Sequence, residues 1–137
     1  MSGLTVNECW AAALAEAAEV LSGADNLERF LGAIEINHRL WLILTGVASG
    51  FPGKIEARIA DFVMSMVYRA GRGIPDRNIE ILIEINNHLS ATLVGGQDVA
   101  AVRHRAELAW RAAAPRSIGL SSWLISEIER LTPPTET

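Results

Sequence analysis

At 137 residues, 50% apolar and 20% charged, the chain has the size and composition of one folded domain rather than of a disordered segment. Its formal charge of −4 and pI near 5.3 argue against broad electrostatic capture of nucleic acid or anionic lipid. Cys9 is the sole cysteine, which excludes an intramolecular disulfide and a cysteine zinc cluster and fits a reducing, cytoplasmic location.

The first predicted helix opens at Thr5, with Glu8 in capping-box spacing, and repeats apolar residues at Trp10, Ala13, Leu14, Ala17, Val20 and Leu21 before stopping at Gly23. Glu8, Glu16 and Glu19 interrupt this alanine-rich stretch, so it does not read as an export leader. Asp25 with Glu28 starts a second helix with a stripe of Leu27, Phe30, Leu31, Ile34, Asn37, Trp41 and Leu44. Ile36, Leu40, Ile43 and Val47 widen that stripe until most of the circumference is apolar, which predicts the central helix of the fold. The uncharged run Leu40 to Gly53 covers about 14 residues, short of the about 20 that span a bilayer.

After Gly46, Gly50, Pro52 and Gly53, a third helix is marked by Ile55, Ile59, Phe62, Val63, Met66, Val67 and Ala70, and ends at Gly71 and Gly73. Pro75 and Asp76 begin a fourth, with Ile79, Leu82, Ile83, Asn86 and Ser90 on one face and Ile81, Ile85, Leu89 and Leu93 on another. Gly95 and Gly96 close it. Val99, Val102, Ala106, Ala109, Trp110 and Ala113 predict a fifth, broken at Pro115. A short sixth begins at Ser121 or Ser122 and buries Trp123, Leu124, Ile128 and Leu131. With no alternating β-branched run and short connections, the fold class is all-α: a compact helical bundle of about five to six helices in antiparallel helical hairpins. Residues 1–96 form the core, 97–132 a C-terminal helical extension packing on it, and 133–137 a disordered tail.

One pattern occurs twice. Ile34-Glu35-Ile36-Asn37 returns 49 positions later as Ile83-Glu84-Ile85-Asn86, at the same phase of its helix. An asparagine within an apolar stripe needs a specific partner, because an unpaired buried amide costs about 1 to 3 kcal/mol. The second and fourth helices are therefore expected to cross near Asn37 and Asn86. Either the two amides fix their register, as a buried Asn does in a coiled coil, or they grip the backbone of a partner.

Other chemistry is sparse. His38 and His88, beside Glu35 and Glu84, lack metal-ligand spacing on their helices, and no metal or cofactor is expected. Asp61 and Ser65 have no histidine in sequence to complete a nucleophilic arrangement. Gly71-Arg72-Gly73 is too brief for a phosphate loop. Phe62, Met64, Met66 and Tyr68 offer either core or an adaptable apolar surface. Arg69, Arg72 and Arg77 cluster at one turn with few interleaved aromatics, which disfavours RNA. His104, between Arg103 and Arg105, reads as a solvated face. The expectation is a protein that is not an enzyme.

The motif Ile36-Asn37-His38-Arg39-Leu40-Trp41, the turn Phe51-Pro52, the aliphatic helix from Ile59 to Tyr68 and the motif Leu82-Ile83-Glu84-Ile85-Asn86 together resemble the FlaF family of bacterial flagellar regulators. The resemblance covers about residues 28–96. His38 stands where the family usually has arginine, and Phe51 where it has leucine. The resemblance implies a non-enzymatic, chaperone-like cytoplasmic protein that binds the helical terminal segments of flagellin and promotes its synthesis and export. A second flagellar regulator is a further partner in that setting. The alternatives are a post-transcriptional regulator acting on flagellin messenger RNA and a helical adaptor without a flagellar role. An apolar groove bordered by the second, third and fourth helices is the expected binding surface. Its candidate partner-binding residues are Asn37, Arg39, Trp41, Phe62, Met66 and Asn86. The C-terminal helices, bearing Trp110, Trp123, Leu124 and Ile128, are expected to cap this groove until flagellin competes.

Overall fold

The computed structural model describes residues 3–46, 65, 76–113 and 117–131. Five helices and no strands occur among them: α1 (Val6–Ser22), α2 (Leu27–Gly46), α3 (Asp76–Leu93), α4 (Val99–Ala113) and α5 (Leu120–Leu131). The helix expected around Ile55 to Ala70 lies outside the described residues. The all-α helical bundle is as the periodicity predicts.

Local signals set the helix ends. Glu8 N–H donates to Thr5 Oγ1 at 3.1 Å and Thr5 N–H donates to Glu8 Oε1 at 3.0 Å, which completes the capping box of α1. Gly23 closes α1 with φ −90°, so a right-handed backbone suffices there. At α2 the cap falls one residue later than the sequence suggested. Asn26 Oδ1 accepts the Arg29 N–H at 2.8 Å, which leaves Asp25 to pair with Arg29 one turn on. Asp98 caps α4 through its carboxylate, 3.1 Å from the Ala100 N–H. Before it, the chain turns at Gly95, whose φ of +60° favours glycine.

The central helix is α1, not the one starting at residue 27. Ala11, Ala12, Ala13, Ala15, Ala17 and Ala18 are all buried, and α1 packs against each of the other four described helices, most extensively α3. Small side chains let neighbouring helices approach closely on every side. The fatter α2 buries Ala33, Ile34, Asn37, Leu40, Trp41 and Leu44 along one face but leaves Leu27 69%, Leu31 40% and Leu42 47% exposed. Continuous hydrophobicity made α2 look central; the ability to be approached closely decided otherwise.

The C-terminal helices belong to the same core. Trp123, Leu124, Ile125 and Ile128 of α5 are buried in it, and α5 packs on α1. From α4, Val102 and Ala106 are fully buried. No described helix is long and apolar enough to cross a membrane.

Candidate functional site: a buried amide layer behind an open trough

The repeated asparagines meet. Asn37 reaches from α2 and Asn86 from α3, and Asn86 Nδ2 donates to Asn37 Oδ1 at 2.6 Å. Asn86 Oδ1 accepts the indole N–H of Trp41 at 2.9 Å, while Asn37 Nδ2 donates to the carbonyl of Ala33 at 2.9 Å and, more weakly, to that of Ala17 on α1 at 3.4 Å. One turn beyond Asn86, Ser90 Oγ donates to the Ala11 carbonyl of α1 at 2.6 Å. Asn37, Trp41, Asn86 and Ser90 are all essentially inaccessible. The offset of 49 thus holds beyond the motif: Asn37 and Asn86, Trp41 and Ser90, and Leu44 and Leu93 are equivalent buried pairs on two helices that flank α1.

This layer does structural work. An interlocked set of amides, an indole and backbone carbonyls has few satisfying arrangements, so it selects one register of α2 and α3 on α1 where apolar contacts alone tolerate slippage. Its members offer no surface to a partner. Asn37, Trp41 and Asn86 were expected as partner-binding residues. The geometry instead gives them to one another, because polar atoms sealed from water take the nearest donors and acceptors. Arg39 is on the exposed side of α2, apart from this layer, and remains accessible. Phe62 and Met66 lie outside the described residues, as does the helix that was to complete the expected groove. Of Arg69, Arg72 and Arg77, only Arg77 is described, and it is exposed.

In front of the amide layer the described residues form a different groove, an open trough of about 780 Å³ between α2 on one side and α4 with the start of α5 on the other. Its floor and walls are Val20 of α1, Gly32, Ala33 and Ile36 of α2, Trp110 of α4 and Leu120 of α5. Ala33 joins the two features: its side chain lines the trough and its carbonyl holds Asn37. That bond lies within α2; the bonds from Asn37 to the Ala17 carbonyl and from Asn86 to Asn37 tie the α2 wall to α1 and α3. A Cβ built on Gly32 meets nothing within 4 Å, so this wall has open space in front of it.

Charge rims the trough. Glu16 and Glu19 of α1 both engage Arg103 of α4, the former at 2.8 Å. Arg105, on the other side of the Val102 and Ala106 stripe, pairs with Glu8 and donates to Gln97 Oε1 at 3.1 Å. The hydrogen bond from the Thr5 backbone N–H, opposed by burial and reinforced by Arg105, holds the Glu8 carboxyl below its ordinary value. Glu8 therefore serves two elements at once, as cap of α1 and anchor of α4. His104, expected on a solvated face, is exposed, whereas the arginines on either side of it are held by the α1 carboxylates. The available signal was the run of three carboxylates and no basic residue on α1.

Two observations at the described residues bear on chemistry. No group of three or more His, Cys, Asp or Glu converges there as a metal site. Cys9 is buried, and desolvation, with the negative charges of Glu127 and Glu8, pushes its thiol up to about 11, so it is a protonated thiol at neutral pH rather than a nucleophile. Comparison with family models, with curated proteins and with solved structures finds no match.

Proposed function

We propose that this protein is a non-enzymatic helix-binding protein, chaperone-like in action, and that the FlaF resemblance names its ligand: an amphipathic terminal helix of flagellin. The observation that carries the reading is the trough, with an apolar lining from four helices and a charged rim. A helix about 10 Å across and two turns long occupies roughly 850 Å³, comparable to this opening, so the side chains along one helical face match it in scale. Burying an apolar stripe while charged groups stay at the edge is the usual logic of helix-in-groove recognition. On this reading the amide layer, which ties α2 to α1 and α3, holds the α2 wall in place.

Calorimetric titration with purified monomeric flagellin tests the proposal, with Gly32→Arg in parallel. Arginine at position 32 fills open space and has better helix propensity than glycine, so folding is retained while the trough is obstructed. The expected result is binding with a negative heat-capacity change that weakens at least about tenfold in Gly32→Arg. Absence of binding, or equal affinity for both proteins, overturns the assignment of this trough to flagellin.

A further inference from the structure

The two C-terminal helices are held by different forces. Over 12 residues α5 buries Trp123, Leu124, Ile125 and Ile128, whereas α4, over 15 residues, fully buries only Val102 and Ala106. Val99, Ala109 and Trp110 add partly buried apolar contacts, and ion pairs supply much of the remaining hold on α4: Arg103 to Glu16 and Glu19, and Arg105 to Glu8, with the arginine side chains 32% and 47% exposed. Ion pairs that open to solvent are screened by salt and replaced at small cost, while buried tryptophan, leucine and isoleucine are not. Gly95 and Gly96, with open space around each, precede α4, and the Trp110 indole N–H donates to the Ile118 carbonyl at 2.8 Å across the connection that follows. One end of α4 is thus joined to the core through two glycines while the other is tied to the segment before α5.

The charges are complementary. In α1, three glutamates and no basic residue give −3; in α4, Arg103, Arg105 and Arg111 against Glu107 give +2. Arg103 and Arg105 flank the small apolar stripe of Val102 and Ala106, one on each side. The α1 face therefore displays, in α4 itself, the kind of helix it accepts.

We propose that α4 is a resident stand-in for the partner: it occupies the acidic, alanine-rich face of α1 and gives way to a helix with small apolar residues at helical spacing flanked by arginine or lysine. Displacement of α4 removes one wall of the trough and widens it for that helix. This rests on the helix-binding reading above and adds the class of partner and the regulation of its site. It departs from the expectation that both C-terminal helices act as a cap, since α5 stays in the core.

Hydrogen exchange on the full chain at low and at 0.5 M salt (about a 4 Å screening length), alone and with a synthetic peptide of residues 97–113, tests it. Amides of α4 should exchange at least about tenfold faster than those of α5, and faster still at high salt or in the Arg103→Gln, Arg105→Gln double variant. The peptide should bind that variant at least about tenfold more tightly than the wild-type chain, and a peptide with glutamate at both arginine positions should not bind. Exchange of α4 in step with α5 at both salt concentrations, or equal peptide affinity for the two proteins, overturns the proposal. Flagellin separates the two readings. Binding that leaves α4 protected refutes displacement and keeps the helix-binding function. Release of α4 by the peptide without any flagellin binding keeps displacement and removes flagellin as the ligand.

Discussion

Asn86 donates to Asn37 across 2.6 Å and, with its carbonyl oxygen, accepts the Trp41 indole N–H at 2.9 Å. One side chain on α3 thereby satisfies two buried groups on α2, although the backbones of these helices meet far less closely than either meets α1. Their relationship is written in side-chain hydrogen bonds.

Replacing Asn86 with Ala leaves the Asn37 oxygen and the Trp41 N–H unpaired in the core, at about 1 to 3 kcal/mol for each orphaned group. Urea denaturation of Asn86→Ala should show a loss of roughly 2 to 6 kcal/mol. The double variant with Asn37→Ala should lose clearly less than the two single losses added together, because the pair shares one interaction. Strict additivity would mean that the two amides act independently.

Ile34 packs 2% exposed in the core, immediately after Ala33 in the α2 wall. Ile34→Ala should cost about 2 to 5 kcal/mol, whereas Leu27→Ala, at a 69% exposed position, should change stability by less than about 0.5 kcal/mol. A thermal melt of both variants checks this, and similar shifts at the two positions would contradict the helix phase described.

Glu8 links acid stability to the α1 cap. Its folded carboxyl titrates below the ordinary 4.5, so the unfolded chain binds a proton first as pH falls. The stabilisation is present above about pH 4.5 and is lost as pH drops through the lower folded value. Glu8→Gln should be less stable than wild type at pH 7, and the gap should narrow in urea titrations at pH 3. A gap independent of pH would assign the effect to packing.

Cys9 behaves in the opposite sense. Its thiol is pushed up to about 11 from an ordinary 9.0, chiefly by burial, so the unfolded chain ionises first as pH rises. Its contribution is present below pH 9 and falls by on the order of 1 to 2 kcal/mol as pH approaches 11. Comparing wild type with Cys9→Ala at pH 8 and pH 10.5 reads this as a shrinking difference. Thiol labelling at pH 7.5 should track global unfolding; rapid labelling of the folded chain would show that Cys9 is open to solvent.

Much of the secondary structure was legible because it depends on neighbours a few residues apart. Thr5 and Glu8 announce their capping box by spacing alone, and the stripe of Trp123, Leu124 and Ile128 marks the buried face of α5. The meeting of Asn37 and Asn86 was also legible, through the repeat, although the helices that carry them meet through side chains rather than by a close backbone crossing. The roles were less so: Trp41 carries a large apolar surface with one polar atom, and that description fits a binding hot spot and a core residue equally.

By itself the sequence determined an all-α chain, the places where several helices start and stop, and two amides in equivalent positions, since periodicity, caps and turn residues act over a few positions. Tertiary structure alone decided that α1 is the hub, that Asn37, Trp41 and Asn86 satisfy one another, and that Arg103 and Arg105 clamp α4 to Glu16, Glu19 and Glu8. Those outcomes depend on which faces approach in space. An alanine-rich helix wins the centre because small side chains admit four neighbours, a property that appears only when the neighbours are there.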